Sequence, residues 1–187
     1  MKKSILNLIQ VVKQKLIEFP ELVDSLDKKD VLFLDKLFNW MKAIEAIFAT
    51  YNVSEASEIA GLRSKIIAQR FTETSGASKK KITLKIASEI LYDLQKITLE
   101  VLKPYEVKTE ECRELVRQLL LIISGMQLIS HEQDQPFEHL VNTIWQFIFS
   151  NDQLKAGGIK LKTNLPMDDI RLLLAEEINL EDFQNVK

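Results

Sequence analysis

The sequence predicts an all-α fold: a multi-helix bundle of six to seven helices, mainly antiparallel neighbours, with a short C-terminal helical appendage. Three observations predict it. Apolar residues recur at three- and four-residue steps along most of the 187-residue chain, the period of one helix face. Only five glycines and four prolines occur, so turns are few and the elements between them long. Hydrophobic residues make up 46% and charged residues 28%, the balance of a globular chain that buries its own core without disulfide or metal staples.

The first helix is expected over 4–18, where Ile5, Leu8, Ile9, Val12 and Leu16 make one stripe. Pro20 disfavours helical geometry at Phe19, so the helix is expected to end there, with a short helical turn through Leu26. A long helix follows over 30–51, with Asp30 as N-cap and Leu34, Leu37, Met41, Ile44 and Phe48 inward. The next, over 55–71, has Ser54 as N-cap and Ile59, Leu62, Ile66 and Phe71 on its apolar face. The small polar run 72–78 breaks the period and reads as a loop.

The cleanest pattern lies over 80–103, where Ile82, Ile86, Ile90, Leu94, Ile97 and Val101 step by three or four until Pro104, which is expected to stop the helix. A helix over 109–130 starts with Thr109 as N-cap and Glu110 and Glu111 in its first turn. Its second half is apolar nearly all round, which places it centrally in the bundle. Pro136 opens a helix over 136–150, with Leu140, Val141, Ile144, Trp145 and Ile148 inward. Gly157-Gly158 is the strongest breaker in the chain, and Ile159 to Lys162 alternates as a short extended segment does. Pro166 opens a last helix over 167–178. The expected organisation is a helical bundle over 1–150, followed by a linker, a C-terminal helix and an acidic tail over 151–187 that belong to the same domain.

Charge and cysteine content narrow the function classes. A net charge of −2 argues against a dedicated nucleic-acid binder, which is usually basic. One cysteine, Cys112, makes an intramolecular disulfide impossible and suits a reducing compartment, so a cytoplasmic protein is expected. The N-terminal run from Lys2 to Phe19 is interrupted by Asn7, Gln10, Lys13 and Lys15, and reads as an amphipathic helix rather than a secretion signal. The apolar run Leu119 to Ile123 falls far short of the ~20 residues of a membrane span, so no membrane segment is expected.

Motifs with chemistry are missing. His131-Glu132 lacks the second histidine four residues on that a zinc protease helix requires, and Glu138-His139 lacks the spacing of a di-iron carboxylate site. No glycine loop for phosphates is present, and Cys112 lies beside Glu110 and Glu111, which raise a thiol pKa. No catalytic residue, metal ligand or cofactor is therefore expected.

Residues 53–70 carry the one patterned signal. With Gly61 as a left-handed turn, Ala56 and Ser57 as small packing residues, and Leu62 and Ile67 as buried anchors, the segment reads as a helix-turn-helix. Arg63, Lys65, Gln69 and Arg70 then face outward, and Lys79, Lys80, Lys81 and Lys85 extend the basic run, with Glu73 as the single acid between 63 and 85. The plainer alternative is one continuous helix with Gly61 inside it, at about 1 kcal/mol relative to alanine, and a solvated lysine run. From 167 to 187 six acids face two bases, so a basic middle and an acidic end can pair within the chain, between protomers or with partners. The expected function is a non-catalytic protein–protein interaction or scaffold subunit, with protein partners or self-association. Nucleic-acid binding through 63–85 is the alternative, and an enzyme with a helical active site the third.

Overall fold

A computed structural model describes residues 3–70, 76–131 and 134–184, with the side chains of 70 and 76–80 left out. The protein is an all-α multi-helix bundle, and the described residues include no strand. The helices are α1 (Ile5–Asp27), α2 (Phe33–Tyr51), α3 (Ala56–Arg70), α4 (Gly76–Met126), α5 (Phe137–Ser150), α6 (Asp152–Asn164) and α7 (Met167–Glu177), with a 3-10 turn at Leu180–Phe183. They form two compact units, Asn7–Tyr105 and, for the other, Met1–Leu6 with Glu106–Lys187.

In the first unit α2 packs on α3. Phe33, Leu37, Met41, Ile44 and Phe48 of α2 are buried, as are Ile59, Leu62 and Ile66 of α3. Asn52 takes the left-handed conformation that ends α2, and its N–H reaches the Ala49 and Phe48 carbonyls. Asp30 does not cap α2 as expected; the N-cap is Leu32, and Asp30 instead accepts from the Leu32 N–H, Ser25 and Lys36. Trp40 donates to the Lys15 carbonyl at 2.9 Å and meets Phe19 edge-on at 5.3 Å.

Both interior prolines contradict the sequence reading. Pro20 lies inside α1, and Pro104 lies inside α4, which joins the helices expected over 80–103 and 109–130. A proline inside a helix costs ~3 kcal/mol, and burial of Phe19 and Leu22 around the first, and of Val101, Leu102 and Cys112 around the second, outweighs that. Pro104 adjoins the Tyr105–Glu106 boundary between the units, so the signal is real but marks a unit boundary. Thr109 is consequently mid-helix and not an N-cap; its buried hydroxyl has no hydrogen-bond partner among the described residues.

In the second unit the core joins Val116, Leu119 and Ile123 of α4, Leu140, Ile144 and Ile148 of α5, Leu154 and Leu161 of α6, and Ile170, Leu173 and Leu174 of α7. The expected linker is thus helix α6, and 151–184 contributes to this unit's core. Gly157-Gly158 breaks nothing, and 159–162 is helical rather than extended. A Cβ on Gly158 would stand 2.7 Å from Ile148 Cγ2, and one on Gly157 2.9 Å from a Leu119 methyl. The two glycines let α6 close onto α5 and α4. The expected loop at 72–78 lies in part outside the described residues, and α4 already begins at Gly76.

Candidate functional site

The described part of the basic segment falls on α3 and the start of α4. Helix α3 runs unbroken through Gly61, which has no positive φ and nothing within 4 Å of where a Cβ would stand. The helix-turn-helix reading is therefore overturned: burial of Ile59, Leu62 and Ile66 along one face holds a single helix, and the glycine penalty of ~1 kcal/mol is too small to break it. Ile67, expected as a buried anchor, is exposed. Arg63 turns inward to Glu45, with Nε at 3.1 Å and Nη2 at 3.3 Å from its oxygens. Gln69 is half-buried. Lys65 on α3 and Lys81 and Lys85 on α4 are exposed, with Lys85 at 4.0 Å from Glu89. Arg70, Lys79 and Lys80 fall outside the described side chains.

Reactive groups are also withdrawn. Cys112 is buried, and burial pushes its thiol pKa up, so the thiolate that nucleophilic chemistry requires is disfavoured. His131 donates its backbone N–H to the Phe183 carbonyl at 2.7 Å, while its buried Nδ1 has no hydrogen-bond partner among the described residues. Among the described residues no three His, Cys, Asp or Glu side chains converge as a metal site requires.

The sequence reading missed the outward face of α4 in the second unit. Val107, Glu111, Glu114, Gln118, Leu121 and Gly125 follow at alternating steps of four and three, and all are exposed. Glu110, Glu111 and Glu114 with Val107, Leu115, Gln118 and Lys160 line an open groove of about 670 Å³. Beyond it the face turns apolar: Leu121 is 74% exposed and Ile122 46%; past the helix end, Leu128 is 69% exposed. Gly125 has nothing within 4 Å of its Cβ direction. From Gln118 to Ser130 the chain carries no charge. This all-round apolar run was read as central; the structure buries Leu119, Leu120 and Ile123 and leaves the other side open.

An ion cluster beside this face ties α4 to α7. Arg117 Nε donates to Glu177 at 2.7 Å, and Arg113 donates to Glu177 and, at 2.7 Å, to Glu176. The Arg117 hydrogen bond, with that of Arg113, holds the Glu177 carboxyl below its ordinary range and raises both guanidinium groups. Part of the acidic C-terminal charge is therefore matched within the chain. Asp169 of α7 is fully buried, and accepts from Ser4 Oγ and from the N–H groups of Ile5 at 2.6 Å and Leu6 at 3.2 Å.

No described helix is long and apolar enough to cross a membrane. No family model matches the chain, and no curated protein and no solved structure matches it.

Proposed function

We propose that the protein is a non-catalytic protein–protein interaction module, a subunit or scaffold of a larger assembly, working through the outward face of α4 in its second unit. One observation carries the reading: Leu121, Ile122 and Leu128 stand exposed within thirteen consecutive uncharged residues, Gln118 to Ser130. Neighbouring exposed apolar side chains such as Leu121 and Ile122 fit a contact site, and each leucine covered by a partner contributes roughly 1.5–3 kcal/mol. An amphipathic helix against a helical groove is an established way to use such a face. Cytoplasmic residence belongs to the same proposal, on the ground of the single buried thiol of Cys112.

The test is affinity capture from native extract with mass spectrometry, comparing the wild type with Leu121→Glu. Partners are expected to survive nuclease treatment and to be lost with the variant. Capture that is unchanged by Leu121→Glu would remove the support for this face.

A second reading, contact with nucleic acid, rests on the exposed Lys65, Lys81 and Lys85. Backbone contact by lysines is salt-dependent and indifferent to sequence. Anisotropy titration with random duplex and single-stranded oligonucleotides tests it. Binding lost on Lys81→Glu/Lys85→Glu supports the reading, and no binding at tens of micromolar protein in ~50 mM salt ends it.

A further inference from the structure

We infer that the partner seated on this face is a basic amphipathic helix; the inference deepens the interaction reading above and rests on it. The outward stripe has two chemical halves. Its first half presents Glu110, Glu111 and Glu114 around the apolar pair Val107 and Leu115, and its second presents Leu121, Ile122 and the open backbone at Gly125. Two arginines of α4 divide between this half and α7: Arg113 bonds Glu176 and Glu177 and lies 3.9 Å from Glu110, and Arg117 bonds Glu177 at 2.7 Å while pairing with Glu110 and Glu114 at 3.5 and 3.7 Å. Among the described residues Lys160 is the one cation lining the groove. Among the described residues Glu111 has no ion pair, and its carboxylate is exposed.

Charge selects among occupants. A second copy laid antiparallel about Gln118 sets Glu114 of each chain beside Ile122 of the other, which buries a carboxylate against an apolar side chain. A parallel copy sets glutamate against glutamate. A helix with lysine or arginine along one part of its face and leucine-like residues along the rest satisfies both halves at once, and Gly125 permits close backbone approach at the apolar end.

The probe is a fluorescein-labelled amphipathic helix of about 18 residues, roughly five turns, built from Leu, Ala and Lys, with a twin carrying Glu for every Lys. Both are titrated by anisotropy against the full chain, against Glu110→Gln/Glu111→Gln/Glu114→Gln, against Leu121→Ser, and against Glu58→Gln as a distant control. The Lys peptide is expected to bind at least tenfold more tightly than its twin. The triple variant should lose about tenfold in affinity and most of the salt dependence, Leu121→Ser should lose affinity and keep the salt dependence, and Glu58→Gln should change nothing. Equal binding of the two peptides with loss on Leu121→Ser overturns the basic partner and leaves the interaction reading standing. Binding indifferent to Leu121 overturns both. Dimers in light scattering that Leu121→Ser dissolves make a second copy the occupant and overturn the basic helix.

Discussion

At the scale of single residues, two glycines have opposite roles that only the packing separates. Gly61 faces open space inside a continuous helix, so Gly61→Ala is expected to raise stability by about 0.5–1 kcal/mol. A left-handed turn at this position would make the same change destabilising, so denaturant unfolding of the variant also tests the continuity of α3. Gly158→Ala drives a methyl to 2.7 Å from Ile148 and 3.0 Å from the Phe149 ring, and is expected to lower stability by roughly 1–3 kcal/mol in the same assay. Asp169 belongs with them. Replacing it by alanine removes the acceptor of two backbone N–H groups and of the Ser4 hydroxyl, an expected loss of roughly 2–4 kcal/mol. A loss below ~0.5 kcal/mol would show that water replaces the carboxylate. None of this was legible in sequence. The Gly61 pattern fits both a turn and a helix, and nothing in local spacing links Asp169 to residues some 164 positions away.

At the scale of elements, apolar periodicity located the helices because each buries one face, as Ile90, Leu94, Ile97 and Val101 do on α4. Boundaries were less legible. Pro20, Pro104 and Gly157-Gly158 carry breaker chemistry, yet a penalty of ~3 kcal/mol per proline or ~1 kcal/mol per glycine yields when neighbours such as Phe19, Leu102 and Ile148 are fully packed. The α4–α7 ion cluster gives this level a pH signature. The folded pKa of Glu177 lies below its ordinary 4.5, so the stability it contributes is complete above that value and is lost as pH falls through the depressed one. The stability difference between wild type and Arg117→Gln should therefore be flat from neutral pH down to about 5 and shrink below 4.5. A difference that persists unchanged at acid pH would mean that Arg117 acts through packing of its methylene stem. Arg117 is half-exposed, so the difference is small at any pH.

At the scale of the whole chain, the all-α class was legible because it depends on period and on the scarcity of turn residues, both visible in any window of the sequence. The division into Asn7–Tyr105 and a unit centred on 106–187 was not, since it depends on which stripes share a core. The candidate face was hidden for a related reason. A run such as Leu119 to Ile123 shows that a helix is apolar all round, and only the placement of neighbours shows that Leu119, Leu120 and Ile123 are covered while Leu121 and Ile122 are open. The placement of Arg63 was misread in the other direction, because one partner, Glu45, turns it away from solvent. The central claim is that the open side of α4 is a partner surface, and site-specific photo-crosslinking tests it most directly. A photoreactive phenylalanine derivative at position 121, at 128 and, as an exposed control, at 155 is irradiated in native extract. The account predicts discrete crosslinked species from 121 and 128 that disappear on Gly125→Glu, and none from 155. Equal labelling from all three positions, or none from 121 and 128, would contradict it.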